Sequence, residues 1–114
     1  GQISKNNDFD IIINISEDGW FGRSIGPKQH FVHSIFRAIE SGKYVLRSAN
    51  NGIAGIIDPI GNIEKKIEFG EIGFLDFEKQ KKFKRTYFSI YGNMIILPVI
   101  LLYFCLFVLF IRKK

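Results

Sequence analysis

Apolar and polar positions divide the chain into short apolar runs, one amphipathic stretch and one long apolar block. Phe9-Asp10-Ile11-Ile12-Ile13-Asn14-Ile15 is rich in β-branched residues and follows the polar Ser4 to Asp8. A continuous apolar run of this length, bounded by turn residues, predicts a strand buried on both faces. Its C-terminal end delivers Ser16 to Gly22 as a loop, and loops after strands in layered α/β folds collect functional groups. Phe31, Ser34, Ile35, Ala38 and Ile39 recur at three- and four-residue spacing, which predicts a helix from about Pro27 to Ser41 with one packed face. Pro27 suits its first turn and Gly42 its stop.

Tyr44 to Ala49 reads as a second strand, and Asn50-Asn51-Gly52 as a tight turn or bulge. Ile53 to Ile57 is a third strand, followed by the hairpin loop Asp58-Pro59-Ile60-Gly61-Asn62. Ile63 to Ile67 and Gly73 to Phe77 read as further strands, the first alternating apolar and charged residues as a sheet with one wet face requires. From Met94 to Ile111 no residue is charged. At ~1.5 Å per residue this run extends ~27 Å, close to the ~30 Å of a bilayer's hydrocarbon core. A transmembrane span follows from that match, with Pro98 near its start and Tyr87 and Tyr91 as interfacial anchors.

Charge sharpens this picture. The net charge is +5, but the basic residues concentrate in Lys79 to Arg85 and Arg112 to Lys114, on both sides of the apolar run. That is where membrane proteins place Lys and Arg, and no groove-reading motif accompanies the charge, so nucleic acid is set aside as a partner. The two clusters compete under the positive-inside rule and leave orientation undecided. The single cysteine, Cys105, lies inside the apolar run, which excludes an internal disulfide framework and a cysteine-based zinc site. His30 and His33 are three apart on the predicted helix, but no third ligand follows, so no metal is expected and His30 reads as structural. The chain opens at Gly1 with Met94 as its only methionine, which favours a fragment of a longer protein.

Asn14-Ile15-Ser16-Glu17-Asp18-Gly19-Trp20-Phe21-Gly22, Ser24-Ile25-Gly26-Pro27, Gln29-His30-Phe31, Arg37-Ala38-Ile39-Glu40 and Leu46-Arg47-Ser48-Ala49-Asn50-Asn51-Gly52 form an ordered series of blocks. The series resembles the C-terminal part of the bacterial apolipoprotein N-acyltransferase family. Asp58-Pro59-Ile60-Gly61-Asn62-Ile63 resembles a hairpin of the wider nitrilase, or carbon-nitrogen hydrolase, superfamily. The likeness runs from about residue 9 to 77 and continues into a closing transmembrane helix.

The resemblance implies an α/β fold: the C-terminal part of a nitrilase-like α-β-β-α sandwich, followed by one transmembrane helix. Residues 1–78 would be that portion, 79–93 a basic juxtamembrane linker, 94–111 the span and 112–114 a basic tail. It implies acyl transfer from a phospholipid donor, through a cysteine thioester, to the N-terminal cysteine amine of a diacylated apolipoprotein. The membrane bilayer is the third partner, and no cofactor is implied. The soluble part would be periplasmic on a bacterial inner membrane, with the C-terminus cytoplasmic. The family's Glu-Lys-Cys triad would lie upstream of Gly1, so this chain alone is expected to be inactive. Cys105 cannot stand in, because hydrocarbon disfavours a thiolate.

Within that frame the candidate pocket or loop-support residues are Ser16, Asp18, Trp20, Phe21, Arg47, Asn50 and Asn51. Trp20 and Phe21 either present a flat apolar surface to the acyl chain or lipoprotein, or plug the space under the loop. Asp18 is expected to fix the Asp18-Gly19 turn rather than act as acid or base. Glu17 stands where the family often carries Asn. Arg47, Asn50 and Asn51 either position backbone near the nucleophile loop or satisfy turn hydrogen bonds. His30, Arg37 and Glu40 read as structural support, the last two as an i,i+3 pair. The competing readings are another membrane-attached nitrilase-type amidase and a non-catalytic single-pass binding protein.

Overall fold

The computed structural model of the chain describes residues 9–78 and 83–112. The lead-in Ser4 to Asp8, three lysines of the first basic cluster (Lys79, Lys81 and Lys82) and the terminal Lys113 and Lys114 lie outside them.

Among the described residues four strands form one mixed sheet in chain order: β1 (Ile11–Glu17), β2 (Tyr44–Asn50), β3 (Ala54–Ile57) and β4 (Ile63–Ile67). β1 and β2 are parallel, from Ile11 opposite Tyr44 to Glu17 opposite Asn50, and the later pairs are antiparallel. A parallel pair needs a crossover, and helix α1 (Gly26–Ser41) supplies it. α1 begins with Pro27 in its first turn and ends at Gly42, whose φ of +65° suits a residue without a Cβ. The packed face predicted from spacing is the one buried: Phe31 and Ala38 join Val45, Ile53 and Ile57, with Ile12 and Ile35 against them.

Several strand expectations require correction. β1 is not buried on both faces. Among the described residues it is an edge strand, and Ile13 and Ile15 on its far side from α1 are 65% and 85% exposed. Ser16, Glu17 and Asn50 belong to strands rather than loops, because the parallel register of β1 and β2 continues through them. β4 is exposed apart from Ile67, wetter than the one wet face expected. Gly73 to Phe77 forms no ladder. It is held instead by Lys65 Nζ donating to the Asp76 carbonyl and by the Phe77 ring tilted against Tyr44. The β3–β4 hairpin forms where the sequence places it: Asp58 Oδ1 accepts from the amides of Ile60 and Asn62, and Gly61 takes a φ of +92°.

After Thr86 the described residues run through α2 (Tyr87–Tyr91), a 3₁₀ turn (Gly92–Ile95) and α3 (Ile96–Arg112), with a break where α2 ends at Gly92, whose φ of +53° and ψ of −139° are not helical. Across that break Tyr87–Arg112 spans 26 residues, with a mean hydropathy of 3.1 in its most apolar window and no part of that window buried. By length and composition it can cross a membrane. The stretch expected as a linker therefore holds α2, and the helical run starts seven residues before Met94.

Candidate functional site

The C-terminal ends of β1 and β2 lie side by side, and the parallel register decides what meets there. With a two-residue repeat, Ile12, Asn14 and Ser16 share the face of β1 toward α1, and Val45 and Arg47 share that face of β2. Arg47 is therefore a cation inside the layer between sheet and helix, where an unpaired charge would be costly.

Asp18 supplies the counter-charge. Its Oδ2 accepts from Arg47 Nη2 at 2.8 Å, and both side chains are fully buried. Arg47 spreads its remaining donors over the Ile53 carbonyl (Nε, 3.1 Å), Asn14 Oδ1 (Nη1, 2.9 Å) and Ser34 Oγ (Nη1, 3.4 Å). Asp18 Oδ1 accepts from Ser16 Oγ at 2.7 Å and lies 2.7 Å from His30 Nδ1. So short a contact with a carboxylate places the imidazole proton on Nδ1, which prevents that nitrogen from accepting from Arg47, 3.3 Å away. Burial alone would raise the Asp18 carboxyl. Hydrogen bonds from Ser16, His30 and Arg47, with the Arg47 charge, outweigh burial and hold it below its ordinary value of 3.8. Among the described residues no buried side-chain polar atom lacks a partner.

Asp18 meets its turn through the backbone rather than a side-chain cap, its carbonyl accepting from the Phe21 amide at 3.1 Å. Its carboxylate turns inward and makes no side-chain cap to the 3₁₀ turn Gly19–Phe21. Glu17 braces the turn instead, with Oε1 accepting from the Gly19 amide at 2.7 Å and Oε2 accepting from Asn50 Nδ2, which ties the turn to β2. Asn51 follows with a φ of +50°. At Gly52 a Cβ would fall 2.2 Å from Asp18 Oδ2, so this position admits the carboxylate only because it has no side chain.

The aromatic pair divides. Phe21 stands edge-on to His30, ring centroids 5.7 Å apart. Trp20 is 82% exposed and plugs nothing among the described residues. Arg37 and Glu40 form their ion pair at 2.7 Å, half exposed on α1, and the structure does not bring them to the Asp18 cluster. Sequence reasoning missed Asn14, Ser34 and Gly52. Asn14 and Ser34 were detectable, since strand repeat places Asn14 with Ser16 and helix repeat places Ser34 with Phe31; nothing in sequence marked the Gly52 approach.

The cluster can brace a loop, but it holds no activated nucleophile. Cys105 is exposed on α3. Among the described residues no group of three or more His, Cys, Asp or Glu is placed to hold a metal.

A parallel strand pair, its crossover helix and an antiparallel hairpin, with a braced loop at the strand ends, make up an α/β unit, and the chain belongs to the carbon-nitrogen hydrolase family, whose profile matches residues 3–78. Its similarity is more particular than that. It is 44% identical over 102 residues to an apolipoprotein N-acyltransferase of Rickettsia bellii, covering 89% of this chain and 20% of the relative. With that of Rickettsia prowazekii it shares 43% over 114 residues, 95% of this chain and 23% of the relative. With that of Agrobacterium fabrum it shares 48% over 65 residues, 57% and 12% respectively. The chain spans about a fifth of the length of the Rickettsia relatives.

Proposed function

We propose that this chain works as the C-terminal portion of an apolipoprotein N-acyltransferase. In that enzyme an acyl chain passes from a phospholipid to a cysteine thioester and then to the N-terminal cysteine amine of a diacylated apolipoprotein. The observation that carries the reading is the extent of the match. Similarity to the acyltransferases covers 89% to 95% of the chain, so it runs past residue 78, where the family profile ends, and into the apolar helix. A match to the general amidase fold would have no reason to include a membrane helix.

In this reading the chain contributes architecture. The buried Asp18–Arg47 pair seats the start of the Gly19–Phe21 turn, and exposed Trp20 is held where it can contact the acyl chain or lipoprotein. Ser16, Asn50 and Asn51 hold the strand ends on either side of that turn. Nucleophile, base and cation are the Glu-Lys-Cys triad that the resemblance implies, supplied from elsewhere in the enzyme. The enzyme would lie in a bacterial inner membrane with the sheet on the periplasmic side and Arg112 toward the cytoplasm.

The test is a chimera in which residues 1–114 replace the matching segment of a full-length relative. Incubated with phospholipid and a diacylated lipopeptide bearing a free N-terminal cysteine, it should yield the triacylated product by mass spectrometry. Residues 1–114 alone should yield none. A correctly folded chimera that releases ammonia from simple amides but never acylates the lipopeptide would favour the amidase reading instead.

A further inference from the structure

The Asp18 cluster occupies one end of α1, and α2, which leads into the apolar helix, meets the other. Thr86 stands at φ −70°, ψ 150° as the N-cap of α2, and its Oγ1 accepts from the Ser89 amide at 3.1 Å. The same hydroxyl donates its one proton to the Ile39 carbonyl at 2.8 Å. Ile39 belongs to the last turn of α1, whose carbonyls have no donor within the helix. Ala38 is answered by the amides of Gly42 and Lys43, and Ile39 by Thr86. One hydroxyl therefore closes the end of α1 and the beginning of α2, acting as donor to one and acceptor from the other.

The neighbouring contacts fit a seat rather than a chance touch. A Cβ on Gly42 would stand 3.3 Å from Ser89 Oγ and 3.5 Å from the Thr86 nitrogen, so α2 rests on the bare backbone of the α1 C-cap. Ser89 Oγ donates back to the Thr86 carbonyl at 2.8 Å. The rings of Phe77 and Phe83 flank Tyr44, at 5.1 and 6.1 Å between centroids, and Tyr44 opens β2 two residues after Gly42. His30 lies nine residues before Ile39 along α1, about 14 Å at ~1.5 Å per residue.

We infer that Thr86 is a positioning residue that fixes α2, the short helix that leads through Gly92 into the apolar helix, to the core helix, with α1 acting as a strut between the approach to the bilayer and the His30–Asp18 end. This inference needs only that Tyr87–Arg112 is a membrane span and is independent of acyl transfer. It also separates two roles that one hydroxyl combines. Asp at position 86 can cap α2 by accepting from Ser89, but it cannot donate to Ile39 and would set its charge against the carbonyl end of α1. Ser can do both.

The experiment uses the full-length chimera in nanodiscs, with Cys105→Ser and its other cysteines replaced. Spin labels are placed at Val32→Cys on α1 and Tyr91→Cys at the end of α2, both exposed positions. The parent and Thr86→Ser should give one narrow interspin distance, and Thr86→Asp should lose that single peak. Hydrogen exchange at the Val45 and Leu46 amides checks that the sheet persists. If Thr86→Asp also loosens the sheet, Thr86→Val, which removes donor and acceptor together without adding charge, gives the reading. A distance distribution unchanged in a folded Thr86→Asp or Thr86→Val variant overturns the inference.

Discussion

Replacing Arg47 with Met tests the brace at its centre. The guanidinium is fully buried and, among the described residues, is the only cation on the Asp18 carboxylate apart from any charge on His30. Met fills most of the volume but donates nothing, leaving the Ile53 carbonyl, Asn14 and Asp18 Oδ2 without the donors they now have. Removing one partner of a buried ion pair costs about 3–5 kcal/mol. Asp18 keeps its bonds from Ser16 and His30, which places the expected loss near the lower end, about 3 kcal/mol. In urea, with a slope of about 3 kcal/mol per molar, the midpoint should fall by about 1 M, and by more if the slope is shallower. Pulse proteolysis of the chimera reads this shift. The double variant Asp18→Asn/Arg47→Met carries no stranded carboxylate and should recover at least about 1 kcal/mol over Arg47→Met alone. A single-variant loss under about 1 kcal/mol, or strict additivity in the double variant, would refute the view that the pair holds the loop by mutual neutralisation.

Three further outcomes follow from the same geometry. The Asp18 carboxyl is lowered in the folded state, so its contribution to stability is present above the ordinary value of 3.8 and is lost as pH falls through its folded value; an acid titration of unfolding should show this slope in the parent and a flatter one in Asp18→Asn. Gly52→Ala places a methyl 2.2 Å from Asp18 Oδ2 and should destabilise by about 1–3 kcal/mol, as other overpacked sites do; no change in thermal midpoint would mean that the carboxylate is free to move. Trp20→Ala removes an exposed ring, so stability should change by less than about 0.5 kcal/mol while acyl transfer by the chimera falls; equal loss of both would return Trp20 to a packing role.

Periodicity and punctuation in the sequence determined most of the elements. The three- and four-residue repeat from Phe31 to Ile39 with Pro27 and Gly42 at its ends set α1, Asp58 to Asn62 set the hairpin, and the uncharged run from Met94 set the apolar helix, because each depends on contacts local in the chain. The likeness of the motif blocks pointed to the family through residues whose partners could not be read from spacing. What only the tertiary structure decided is where those partners are. Asp18 and Arg47 are 29 positions apart, and their pairing depends on the parallel register of β1 with β2, which brings the ends of both strands together. Burial on β1 also depended on what packs against it, so a run that looked buried on both faces proved covered on one. The strand expected at Gly73 to Phe77 failed for a similar reason: its residues suit a sheet, but a strand exists only where a neighbour offers hydrogen bonds, and here the segment is held by one lysine and one ring instead.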